Sequence, residues 1–161
     1  MLPEIKTIVY ATDLEDADNV KAYRMAVAIA HQHQARIVMI HAMEPVSANT
    51  ESLLKQSLTQ TEIDEIKAKG MDSLRAELHR QVEDFCASEN PAPNGEFAGG
   101  EPLIEIASGS PADVILEKAS QHKADLIVMG TRTHSTIGQV LGSTANKVIH
   151  RGTIPVMVCP L

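Results

Sequence analysis

The chain has 161 residues, a formal net charge of −7, 43% hydrophobic residues and only 2% aromatic residues. That length suits one domain, residues 1–161, whose core is built from Val, Ile, Leu, Met and Ala. The acidic balance argues against nonspecific nucleic-acid binding and attachment to anionic membranes, and no apolar run nears the ~20 residues of a membrane span.

Glu4 and Lys6 stand where a secretory signal would need apolar residues, so a cytoplasmic location is expected. Residues 5–11 read as a first strand leading into Ala11-Thr12-Asp13. Open α/β sheets bind ligands just beyond the carboxyl ends of their strands, where Asp13 falls; Asp is equally common as a turn or cap residue. Residues 19–32 read as a helix with Val20, Tyr23, Val27 and Ala30 on one stripe. His31 and His33 near its end lack a third ligand at metal spacing and read as solvent-exposed. Residues 35–43 form a second strand ending in His41-Ala42. His41 reads as structural, because no G-x-S-x-G elbow supplies a nucleophile for it to activate.

Residues 44–60 are polar and read as a loop or short helix. Residues 61–88 form a longer helix with Met71, Leu74, Leu78, Val82 and Phe85 on its inner stripe. A Pro-, Asn- and Gly-rich connection follows. Residues 103–107 are a third strand. Gly109-Ser110-Pro111-Ala112 then opens a helix, with Ser110 as cap, Pro111 at the first helical position, and Val114, Ile115 and Ala119 facing inward. Cys86 and Cys159, far apart and outside any C-x-x-C pattern, are expected as buried free thiols rather than a disulfide.

The stretch 124–159 organises the rest. Residues 125–129 form a fourth strand that Gly130 ends, and a loop of small and hydroxyl residues follows. Gly142-Ser143-Thr144 precedes a helix marked by Ala145, Val148 and Ile149, with Ser143 or Thr144 as its cap. Lys147, His150, Arg151 and Gly152 form its C-terminal pattern. Residues 154–159 are the last strand. The β-α alternation implies a parallel sheet with right-handed crossovers and helices on both faces. The start of the final helix can bind an anion through its outward amides and the hydroxyls of Ser143 and Thr144. Charge agrees: no carboxylate side chain follows Asp125, whereas Arg132, Lys147 and Arg151 do. Gly130 and Gly142 also have a plainer reading as turn glycines.

Four motifs in order carry a family resemblance: Ala11-Thr12-Asp13, Gly109-Ser110-Pro111-Ala112, the Ala124-to-Gly130 run ADLIVMG, and Gly142-Ser143. Over residues 5–159 the chain resembles the universal stress protein family. Nucleotide-binding members carry Gly, two residues, Gly, nine residues, Gly, then Ser or Thr. Gly130 and Gly142-Ser143 match the outer positions. Thr133 replaces the second glycine, and eight residues rather than nine separate it from Gly142.

The resemblance implies an adenine-nucleotide-hydrolase-like fold: one open, parallel, five-stranded α/β sheet of order 3-2-1-4-5. It implies a cytoplasmic stress-response protein binding ATP or AMP, with or without Mg2+, at the switch between strands 1 and 4. The implied site is Ala11, Thr12, Asp13, Ala42, Met129, Gly130, Arg132, Thr133, Gly142, Ser143 and Thr144. Asp13 and Ala42 would lie beside the adenine and ribose, and Arg132, Thr133, Ser143 and Thr144, with the loop after Gly130, around the phosphates. At most a slow ATPase is implied, since no clear general base or dedicated metal ligand appears. A homodimer through residues 153–161 is expected, because that apolar edge carries no Lys or Glu to discourage pairing. The alternative is a dimeric member that binds no nucleotide and acts on an unidentified protein partner; the shortened loop favours it. A nucleotidyl transferase of the same superfamily would need a Ser-Gly-Gly loop or a His-x-Gly-His pattern, and the chain has neither.

Overall fold

A computed structural model describes residues 1–13, 19–89, 99–131 and 141–161, with the side chains of 19 and 85–89 left aside. In chain order the elements are β1 (Thr7–Thr12), α1 (Asn19–His33), β2 (Arg36–Met43), α2 (Ala48–Ser57), α3 (Gln60–Glu89), β3 (Leu103–Ser108), α4 (Pro111–Gln121), β4 (Leu126–Thr131), α5 (Ser143–Arg151) and β5 (Val156–Pro160). The five strands form one sheet of order β3-β2-β1-β4-β5, and every pairing is parallel. This is the architecture and strand order expected from the sequence.

Strand alternation divides the core into two layers. Ile8, Tyr10, Ile37, Met39, Ile104, Leu126 and Val128 point to one side, where Ala22, Ala26 and Ala30 of α1 and Leu78 and Val82 of α3 cover them. Val9, Val38, Ile40, Ile127 and Met129 point to the other, under Ala112, Val114, Ile115 and Ala119 of α4 and Ala145 and Val148 of α5. Burial on both faces explains why these strands read as continuous apolar runs. No helix among the described residues is long and apolar enough to cross a membrane.

Several boundaries differ from the sequence expectation. β1 begins at Thr7 rather than residue 5, and the Lys6 and Thr7 amides go to the Asp125 carboxylate. β4 continues through Gly130 to Thr131, whose carbonyl accepts the Leu161 amide at 3.1 Å. The polar 44–60 segment contains a full helix, capped by the Ser47 hydroxyl accepting the Thr50 amide, with no buried residue. Val20 and Ile149 are exposed rather than on the inner stripes, whereas Tyr23, Val27 and Ala30 are buried as expected. Ser110 caps α4 without a side-chain hydrogen bond, and Pro111 takes the first turn. Gly152 ends α5 with φ −83°, extended backbone rather than a left-handed cap. Cys159 is a half-buried free thiol; burial raises its pKa. The Cys86 and Phe85 side chains and the proline-rich connection at 90–98 lie outside the described residues.

Candidate ligand cleft at the carboxyl end of the sheet

From β1 the chain winds outward through β2 to β3, then crosses back to β4 on the other side of β1. The crossovers therefore diverge at the carboxyl ends of β1 and β4, which opens a crevice there. A cleft of about 700 Å³ occupies this position. Its walls come from four places: Ala11, Thr12 and Asp13 after β1; Ile40 to Glu44 at the end of β2; Met129, Gly130 and Thr131 of β4; and Gly142 to Ala145 at the start of α5. Pro111 and Ile115 of α4 and Leu161 complete it.

Nine of the eleven residues singled out from the sequence line this one cleft: Ala11, Thr12, Asp13, Ala42, Met129, Gly130, Gly142, Ser143 and Thr144. Arg132 and Thr133 lie outside the described residues. Ala11 and Ala42 pack with Ile40, Ile115 and Met129 in the same apolar layer, so part of the wall is apolar and built from small side chains. Asp13 is exposed at the mouth.

The start of α5 differs in detail from the sequence reading. Its cap is Gly142, not Ser143 or Thr144: the Gly142 carbonyl accepts the Asn146 amide at 2.9 Å. The Gly142 amide donates to the Thr131 hydroxyl at 2.8 Å, which ties the helix start to the end of β4. Ser143 thus becomes the first helical residue. Its amide and those of Thr144 and Ala145 belong to the first turn, which has no intrahelical partners for them. The helix dipole adds partial positive charge at this wall.

Gly130 lies close against the Leu161 side chain. A Cβ there would sit 2.8 Å from the Leu161 side chain, so the last residue of the chain packs where a side chain would otherwise stand. At the opposite wall, the His41 ring bonds through Nδ1 to the Thr12 carbonyl at 3.0 Å, which agrees with its structural reading. The Gly109 amide donates to the Met43 carbonyl at 2.9 Å, fastening the loop before α4 to the end of β2. The sequence reading missed half of the eighteen wall residues, among them His41, Glu44, Pro111, Thr131 and Leu161. The hydroxyl two residues beyond Met129 was a usable signal for Thr131; the position of Leu161 depends on tertiary packing alone. Among the described residues no group of three or more His, Cys, Asp or Glu is placed to hold a metal ion.

Comparison with known proteins agrees with this geometry. The model of the universal stress protein family matches residues 4–160. A universal stress protein of Thermus aquaticus, encoded in the QAH/OAS sulfhydrylase 3′ region, is 31% identical over 95% of this chain and 97% of its own length. Among solved structures, universal stress protein UspA from Lactobacillus plantarum superposes with a TM-score of 0.65 at 24% identity, covering 98% of this chain and 99% of that one. A universal stress protein in complex with cAMP superposes at 0.56 with 25% identity, covering 98% of each chain. With its sheet order, its crevice and nearly its whole length accounted for, the chain belongs to the universal stress protein family.

Proposed function

We propose that the cleft binds an adenine nucleotide, ATP or AMP, and that the protein is a cytoplasmic stress-response regulator. The observation that carries this reading is the meeting of Asp13 and the α5 start in one cleft at the β1/β4 switch point. In this reading the adenine lies against Ala11, Ala42 and Met129. The Asp13 carboxylate, an acceptor, takes the ribose hydroxyls. The phosphates meet the first-turn amides and hydroxyls of Ser143 and Thr144, with Gly130, Arg132 and Thr133 beside them. The cleft volume falls within the ~300–1,000 Å³ usual for small-ligand pockets. A family member of similar fold bound to cAMP supports an adenine-bearing ligand. In this reading hydrolysis is at most slow, with or without Mg2+, because the sequence offers no clear general base. Titration calorimetry with AMP and ATP, each with and without Mg2+, tests the reading. One adenylate per chain is expected; no binding at millimolar nucleotide refutes it.

The second reading is a dimeric interaction protein that binds no nucleotide and acts on another protein. Two observations favour it: the Gly142 amide is already given to Thr131, and the loop is one residue short with Thr133 at the second glycine.

Both readings include a homodimer through residues 153–161. β5 is an outer strand, and this segment carries no charged side chain. The Pro155 carbonyl and the Leu161 amide bond to β4, so by alternation the backbone groups of Val156 and Val158 face outward. Two copies pair these groups antiparallel across a two-fold axis. Val156 and Val158 also pack against the core, so charge substitution there would damage the fold as well. Amide exchange is the cleaner test: both amides should be protected in a protein that sediments as a dimer. A monomer with freely exchanging Val156 and Val158 amides refutes the interface.

A further inference from the structure

We infer that His41 is a positioning residue for the cleft, acting on Asp13 through the Thr12 carbonyl; this rests on the nucleotide reading above. Thr12 and His41 are paired in register at the last step of the β1–β2 ladder. β2 runs on to pair with β3 as far as Met43, whereas β1 stops. The chain must therefore leave the sheet at Thr12, and Asp13 is the next residue.

The Thr12–His41 register gives the Thr12 carbonyl to the Ala42 amide in the ladder. The His41 ring adds a second bond to the same carbonyl, at 3.0 Å. A carbonyl only accepts, so Nδ1 must carry the proton. This bond is available to the neutral ring with its proton on Nδ1 and to the charged ring alike. The other side of Thr12 is also held: its hydroxyl and that of Tyr10 share a hydrogen bond. Tyr10 is itself fixed, 2% exposed, with its ring centroid 5.0 Å from that of Tyr23. Thr12 is thus gripped at its side chain by β1's own Tyr10 and at its carbonyl by His41. That grip sets the direction in which Asp13 leaves the sheet toward the cleft mouth.

The test is a double-mutant cycle read with AMP. His41→Leu should weaken AMP binding about fivefold, the effect of losing one ordinary hydrogen bond. His41→Asn places an amide nitrogen at the position of Nδ1 and should restore affinity to within about twofold of wild type. In an Asp13→Ala background His41→Leu should have no further effect, because its influence passes through Asp13. A loss that Asn fails to rescue, or one fully additive with Asp13→Ala, overturns the inference. A ligand-free readout keeps the two readings apart. Backbone ¹⁵N relaxation at Thr12 and Asp13 should show increased motion in His41→Leu and recovery in His41→Asn, with the wild-type ring protonated on Nδ1. If wild type binds no AMP, the nucleotide reading fails, and unchanged motion at Asp13 would then sink the positioning role separately.

Discussion

At the amino end of the sheet, the Asp125 carboxylate accepts the Lys6 and Thr7 amides at 2.8 and 3.0 Å. Arg36 gives Nε to the Thr7 hydroxyl at 3.0 Å and Nη2 to the His122 carbonyl at 3.3 Å. The Arg36 amide goes to Lys6 and the Asp125 amide to Thr7. At the carboxyl end, strands of the same kind finish around an open cleft, with Asp13 and Ser143 exposed on its walls. Each end has polar groups to satisfy. One end satisfies them internally, so its charges stabilise the fold. The other places Ser143 and the first-turn amides of α5 along a cavity wall, where a ligand can reach them.

The contrast predicts that substitutions at the closed end cost stability and those at the open end cost affinity. Asp125→Ala removes the acceptor of two amides and should destabilise the protein by about 3 kcal/mol in chemical denaturation, since charge-assisted bonds contribute roughly 1.5–3 kcal/mol each. A loss under ~0.5 kcal/mol would show that the amino end is not held in this way. Gly99→Ala acts at the same end: a Cβ there would fall 2.0 Å from the Ala35 carbonyl oxygen, so backbone must move. The expected cost is about 2 kcal/mol, in the range for overpacking, with a lowered melting temperature as the readout.

At the open end, Gly142→Val should cost only about 1 kcal/mol of stability, because φ −58° and ψ 154° suit any residue while Val is a poorer helix cap than Gly. It crowds the α5 start and should weaken AMP binding about tenfold, the loss of one charge-assisted contact. A large loss of stability with unchanged affinity would reverse the contrast.

The smallest effect concerns Glu105, which joins β3 to the far end of α4. Its carboxylate meets Lys118 at 3.1 Å and His122 at 2.8 Å. Burial raises its pKa, but hydrogen bonds from Lys118 and His122 outweigh that and hold it below the ordinary 4.5. A carboxyl whose folded value lies below its unfolded one stabilises the fold above the unfolded value. That contribution disappears as pH falls through the folded value. Glu105→Gln should therefore be less stable than wild type at pH 7, by under ~1 kcal/mol for so partly exposed a group. The gap should close as the pH drops below 4.5. A gap that persists unchanged in acid would assign the effect to packing instead.

Much of this organisation was legible before any coordinates. The apolar runs around Val9, Val38 and Val128 marked strands buried on both faces, and Pro111 after Ser110 marked a helix start. Three things were hidden because they depend on packing between distant parts of the chain. Helix α2 buries no residue, so its sequence, without an apolar stripe, left loop and short helix undecided. Gly142 rather than Ser143 became the cap because Thr131 claims its amide. Leu161 became a wall residue because β4 runs two residues further than the glycine suggested. In the site, Asp13, Ala42 and Gly142 were accessible through their place at strand and helix ends, combined with the family pattern. The bond from His41 to Thr12 was not, since it needs the β1–β2 register.

The most direct test of the open end as an adenylate site is calorimetric titration of AMP into nucleotide-free wild type and Asp13→Ala. Saturable binding of one AMP per chain is predicted for wild type. Asp13→Ala should bind about tenfold more weakly, the loss of one charge-assisted hydrogen bond, while melting within a few degrees of wild type. Equal affinity in the two proteins, or no binding to wild type at millimolar AMP, would contradict the account.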